Sequence, residues 1–135
     1  MRRILSVLFP LAALIAGLVP LWAHHAFEAE FDNAKPVKLQ GKVTKMEWIN
    51  PHTWIHMEVV REDGKTEEWM IEGGSPNIML RKGFTKVSLE VGTDIIAEGY
   101  LAKNGKNRAS GRTVTFKDGK RLFTGGSAPS GSKDQ

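Results

Sequence analysis

The chain has 135 residues, a net charge of +4, no cysteine, and 41% hydrophobic residues. That length holds one domain with a modest core. The lack of cysteine excludes a disulfide framework, a thiolate metal site and a cysteine nucleophile.

Residues 1–23 read as an export signal: Arg2 and Arg3 form a basic start, Ile4 to Val19 an uncharged apolar run, and Pro20 to Ala23 a small-residue cleavage site. A retained membrane anchor is the competing reading, disfavoured by Pro10, Gly17 and Pro20 within the run. Cleavage after Ala23 leaves 112 of the 135 residues and takes Arg2 and Arg3 away, so the net charge falls from +4 to +2. So small a charge gives no electrostatic footprint for nucleic acid, and nothing after the signal is apolar enough to span a membrane. The expected location is the periplasm or the exterior.

A domain is expected over residues 24–124. Its first part, residues 24–35, is a polar and aromatic lead-in arm in which Phe27 and Phe31 are spaced to share a helical face. After Pro36, Val37, Leu39, Gly41 and Val43 alternate with polar residues, which predicts a strand with one buried face. The apolar set then slips to Met46 and Trp48, as a bulge near Lys45 would produce. Gly41 suggests a bend.

A second strand is predicted from Thr53 to Arg61, with Ile55, Met57 and Val59 on one face and Trp54, His56 and Glu58 on the other. Asp63-Gly64 is a hairpin turn leading to a third strand, Thr66 to Glu72, with Trp69 and Ile71 facing the core. Ser75-Pro76 has the N-cap and first-turn chemistry of a short helix that Gly83 can end. A fourth strand is expected at Asp94 to Leu101, a fifth at Arg112 to Phe116 and a short sixth at Lys120 to Phe123. Residues 125–135 are Gly, Ser, Pro and charge, and are expected to be a disordered tail. The fold class is therefore mainly β: a small OB-like Greek-key barrel of five to six strands with one short helix between strands 3 and 4. A β-sandwich shares the strand count but does not need that helix.

The pieces His24-His25-Ala26-Phe27, Gly41-Lys42-Val43-Thr44, Trp48-Ile49-Asn50-Pro51-His52 and Glu98-Gly99 together make the chain, over residues 24 to 123, resemble the exported bacterial family DUF6152. Ala26 stands where that family commonly has Ser. The resemblance implies boundaries and carries no assigned activity.

The chemistry concentrates in the four histidines. If His24 is the first mature residue, its α-amine and ring nitrogen can chelate a metal together, and His25 with His52 or His56 can supply further nitrogens, a donor set suited to Cu(II) before Zn or Ni. Copper would have to displace protons from an amine of pKa about 7.7–8.0 and imidazoles of about 6.5. His52 and His56, four apart in a strand, lie roughly 13 Å from each other and would not share one ion without a fold-back at Pro51. The structural reading of the same residues is turn chemistry for Asn50-Pro51-His52, a carboxylate partner for His56, and a free end for His24-His25.

Trp48, Asn50 and Trp54 form a candidate ligand surface, with aromatic faces that can stack on a sugar or small ligand. Catalytic constellations are thin. No histidine follows Ser75, Ser88 or Ser110, and no nucleophile elbow or phosphate loop is present. Glu47, Glu58, Glu67, Glu68 and Glu72 read as the solvated side of strands, with acid catalysis by a pair of them as a third alternative. The expectation is a binding protein, with a copper-type site or as a metal-free accessory module for a partner protein or small ligand.

Overall fold

The computed structural model describes residues 26–127. Within them lie a helical turn at 26–30 (α1), strands β1 (Phe31–Glu47), β2 (Trp54–Val60) and β3 (Thr66–Glu72), a helix α2 (Pro76–Arg81), and strands β4 (Asp94–Ala102), β5 (Arg108–Phe116) and β6 (Arg121–Phe123). The predicted signal peptide, His24 and His25, and the tail beyond Ser127 lie outside the described residues.

The strands form one sheet in the order β3-β2-β1-β4-β5-β6, and a further parallel pairing of β3 with β5 closes it into a ring. The other five pairings are antiparallel. β1 makes the closure possible because it pairs on both sides: residues 41–47 with β2, and parts of 31–42 with β4. Gly41 stands where the two ladders overlap, opposite both Val59 and Ile95. A Cβ there would collide with the carbonyl oxygen of Glu58 and lie 2.9 Å from its carbon, so only glycine lets the strands come this close. The register then slips between Val43 and Lys45, and this bulge turns Met46 back onto the core that Val43 also faces.

Inside the ring, alternate residues of each strand meet: Leu39 and Val43, Ile55 and Met57, Ile71, Ile95 and Ala97, Ala109 and Val114. Met79 of α2 and the loop residues Phe84 and Leu89 complete this core. Helix α2 starts where Ser75 Oγ accepts from Ile78 N at 3.4 Å, with Pro76 in its first turn, and Gly83 follows it at φ 98°.

Two boundaries differ from the alternation pattern. β1 begins at Phe31, five residues before Pro36, because Phe31 pairs with Ala102 and an exposed polar stretch then runs to the next pairing at Pro36. Such a stretch carries no period. β5 begins at Arg108 and not at Arg112, since Ala109, Ser110 and Gly111 are small residues buried at the seam with β3 and β4.

A second layer of packing lies outside the ring. Phe27 and Phe31 are 1% and 2% exposed yet belong to a cluster apart from the main core. Their rings stack at 5.7 Å, and Phe27 meets the edge of Tyr100 at 5.9 Å. The backbone N–H of Lys103 donates to Glu30 O, and the Lys103 ammonium to Glu28 O, which tie this arm to the end of β4.

Candidate functional site

Where the arm, the end of β3 and the start of β5 meet, the outer face of the ring carries a cluster of charged and aromatic groups. Trp54 is opposite Glu72 across β2 and β3, and Glu72 is beside Ser110 across the parallel seam. In a sheet such neighbours share a face. Glu72 is 2% exposed, although its strand alternates like a solvated one, so the expectation that it is a surface acid is corrected. The arm, the seam and residues 125–127 account for its burial: Gly111 lets the chain after β6 pass close, and Ser127 Oγ donates to Glu72 Oε1 at 3.0 Å.

His52 is brought to Glu72 by its neighbour. Thr53 is fully buried, its N–H and Oγ1 both donate to Gly74 O at 2.9 and 2.8 Å, and Gly73 N donates back to Thr53 O. The loop after the cis Asn50-Pro51 bond is thus pinned beside the end of β3, with His52 Nδ1 at 2.8 Å from Glu72 Oε1. With Nδ1 protonated, the ring donates to the carboxylate, and its side chain is 39% exposed.

Arg108, the first residue of β5, lies across the cluster. Its guanidinium sits 4.5 Å from the Trp54 ring centroid and 5.4 Å from that of Phe31. One of its terminal nitrogens is 3.0 Å from Glu30 Oε2 and 3.8 Å from Glu72 Oε2. Burial pushes the Glu72 carboxyl above its ordinary value of 4.5, against the pull of His52, Ser127 and Arg108, and Glu30 adds to the rise. Arg108 Nε and Ser110 Oγ are buried with no hydrogen-bond partner, so this face holds polar groups beyond those paired.

The other predicted site residues are spread out. His56 turns to a different carboxylate, with Nε2 3.6 Å from Glu47 Oε1, too long for a hydrogen bond, and buried. Glu47 is also bonded to Lys45, the main cause holding its carboxyl below the ordinary value. Trp48 packs against the main core, Asn50 is exposed, and one face of Trp54 is taken by Arg108. The structure therefore joins His52 and Trp54 through Glu72 and Arg108, and leaves His56, Trp48 and Asn50 out of that cluster. Among the described residues no group of three His, Asp or Glu side chains is arranged to hold a metal ion. His24 and His25 lie outside them.

Sequence reasoning passed over Arg108 and took Glu72 for one of several solvated acids. The available signal was the run Glu72-Gly73-Gly74, where two glycines after a carboxylate mark close approach of backbone, but Arg108 beside it follows only from the β3–β5 seam. Among the described residues, no helix is long and apolar enough to cross a membrane. No curated protein and no solved structure matches the chain. A family model does, over residues 13–112, and on that match the chain belongs to DUF6152, a family of unknown function.

Proposed function

We propose that this chain is an exported OB-like barrel, periplasmic or secreted, that works by binding and not by turnover, and that its site is a Cu(II)-type centre made by the mature amino terminus at His24, the His25 ring and His52. The observation that carries the reading is the His52–Glu72 pair. Histidines that ligate metals commonly give their second ring N–H to a carboxylate, which fixes the ring and raises its basicity, and His52 has that partner at Nδ1 on a part-exposed side chain. The arm supports the same reading. Phe27 is buried on Phe31, whose ring meets Arg108, which reaches Glu72, so the arm leads to the face where His52 stands. Chain geometry keeps the Cα of His25 within about 7 Å of that of Phe27. Zn or Ni would be weaker occupants of this nitrogen set. His56 is left out because its Nε2 is buried near Glu47.

An OB-like Greek key is supported by the closure of β1, β2, β3, β5 and β4 into a ring and by a helix in the chain between β3 and β4. A second reading, a metal-free accessory module for a partner protein or small ligand, rests on a different feature: an open groove of about 680 Å³ where exposed Val60 lies among Lys42, Asp94 and Lys117.

Amino-terminal sequencing of the exported protein, followed by Cu(II) titration with electron paramagnetic resonance, tests the proposal. The expected result is His24 as residue one and at least a tenfold loss of affinity in both His24→Ala and His52→Ala. Equal, weak binding by wild type and both variants refutes it and leaves the accessory module.

A further inference from the structure

Independently of the copper reading, we infer that the barrel carries a second site, a groove on β1, β4, β5 and β6 that takes a small organic anion through its carboxylate or phosphate group. A cavity of about 300 Å³ opens where each of these four strands contributes one charged residue: Lys38, Glu98, Arg112 and Arg121. Three cations against one carboxylate leave this lining with a charge of +2. That equals the excess charge of the whole chain after residue 23, gathered in one groove.

A bulge places Arg112 there. Glu98 pairs with Thr113 and Gly99 with Gly111, so Arg112 is the extra residue of β5, and a bulge re-aims the side chain at its position. The bulge is locked from β6, because Thr124 donates from its N–H to Arg112 O at 3.0 Å and from Oγ1 to Gly111 O at 2.6 Å. Across the slip, Gly99 brings only backbone to the groove, and a Cβ on it would collide with the carbonyl oxygen of Ser110.

Arg121 is held in a different way. One of its terminal nitrogens donates to Glu98 Oε2 at 3.1 Å, and the same carboxylate oxygen accepts from the buried Thr113 Oγ1 at 2.9 Å. That nitrogen also makes the 3.4 Å contact with Thr113 Oγ1, so one end of a guanidinium with five N–H donors is used and the rest can meet an oxyanion. Arginine forks match carboxylate and phosphate oxygens in geometry as well as charge. Pro36, Val37 and the Tyr100 ring make the remaining wall, and Phe27 rests against Tyr100 with ring centroids 5.9 Å apart. The volume stands at the lower end of small-ligand pockets, so the occupant is a compact molecule with a short carbon body.

Nuclear magnetic resonance of the purified, metal-free protein tests the site, with butyrate and inorganic phosphate as probes at constant ionic strength. In the wild type, one probe or both should move the amide signals of residues 37–38, 98–100 and 111–113 and reach saturation. Arg112→Gln and Arg121→Gln should each weaken binding by roughly tenfold or more, the worth of one charged hydrogen bond. Lys117→Gln, which removes a cation from the other groove, should leave binding unchanged. Saturation by butyrate alone assigns a carboxylate, by phosphate alone a phosphate, and by both an anion recognised through charge. The wild-type titration localises the site without any variant, so a folding defect in either arginine substitution does not shield the proposal. Shifts scattered over the surface, no saturation with either probe, or equal weakening in Lys117→Gln overturn it.

Discussion

Replacing Gly41 by Ala tests whether the barrel depends on the double pairing of β1. The added Cβ would lie 2.9 Å from the Glu58 carbonyl carbon, closer still to its oxygen, and 3.2 Å from Met57 Cε. The methionine end can swing away, but the Glu58 carbonyl is backbone, held in the β1–β2 ladder next to the Gly41–Val59 pair. Relief requires the two strands to part. Overpacking of this kind costs about 1–3 kcal/mol, and one or two ladder hydrogen bonds opened with it add about 0.5–1.5 kcal/mol each. Alanine recovers roughly 0.4–1 kcal/mol by restricting the unfolded chain. The net expectation is a loss of about 0.5–5.5 kcal/mol, with the middle of the range at about 3, set against the roughly 5–15 kcal/mol that holds a domain of this size. For about 100 residues, the middle of that range lowers Tm by on the order of 15 °C. Thermal and urea unfolding by circular dichroism gives the number, with Gly64→Ala as control. Gly64 has φ 79° and nothing within 4 Å, so it should lose only the roughly 1–2 kcal/mol of a left-handed alanine. A Gly41→Ala protein within about 0.5 kcal/mol of wild type would show that the close crossing does not govern stability.

Three further outcomes follow from the site and its surroundings. Because the folded Glu72 carboxyl lies above its ordinary value of 4.5, the folded chain holds the proton more tightly than the unfolded one, so stability of the metal-free protein falls as pH rises from about 4.5 through the raised value. Glu72→Gln should flatten that slope, of at most about 1.4 kcal/mol per pH unit, in urea unfolding across pH 4–8; an unchanged slope would assign it to other groups. Phe27→Ala, which in a core would cost about 3–5 kcal/mol, should instead free the arm to proteases while the barrel keeps a single cooperative transition at a smaller loss, a result that a broadened or two-step transition would contradict. The exposed ion pair of Lys42 with Asp94 at 2.7 Å should be dispensable, with Asp94→Asn leaving the thermal midpoint unchanged at physiological salt.

The hairpin from Trp54 to Glu72 was legible because its determinants are local: Asp63-Gly64 sets the turn, and strict alternation in both strands places Ile55 opposite Ile71. The bend at Gly41, the slip before Met46 and the capping of α2 by Ser75 were legible for the same reason. Phe31 escaped as the start of a strand because its polar followers run along an exposed stretch of β1, and Ala109 to Gly111 escaped because small residues at a seam look like a turn. At the candidate site, His52 and Trp54 were visible as residue types suited to binding. What could not be read was the partnership. Glu72 is buried by chain segments far from it in sequence, and alternation alone assigns it to water.

The β3–β5 seam has a kinetic meaning. It consists of the pairs Met70 with Arg108, Ile71 with Ala109 and Glu72 with Ser110, and joins strands that α2 and β4 separate in the chain. Closing so long a loop costs entropy before any contact at the seam offsets it, whereas the β2–β3 hairpin closes over the short turn between Arg61 and Lys65. Loop-closure entropy therefore predicts that the seam forms late in folding and opens early. Weakening it should speed unfolding and leave refolding nearly untouched, so the lifetime of the folded barrel is set at the same three residue pairs that hold Glu72 and Arg108 together.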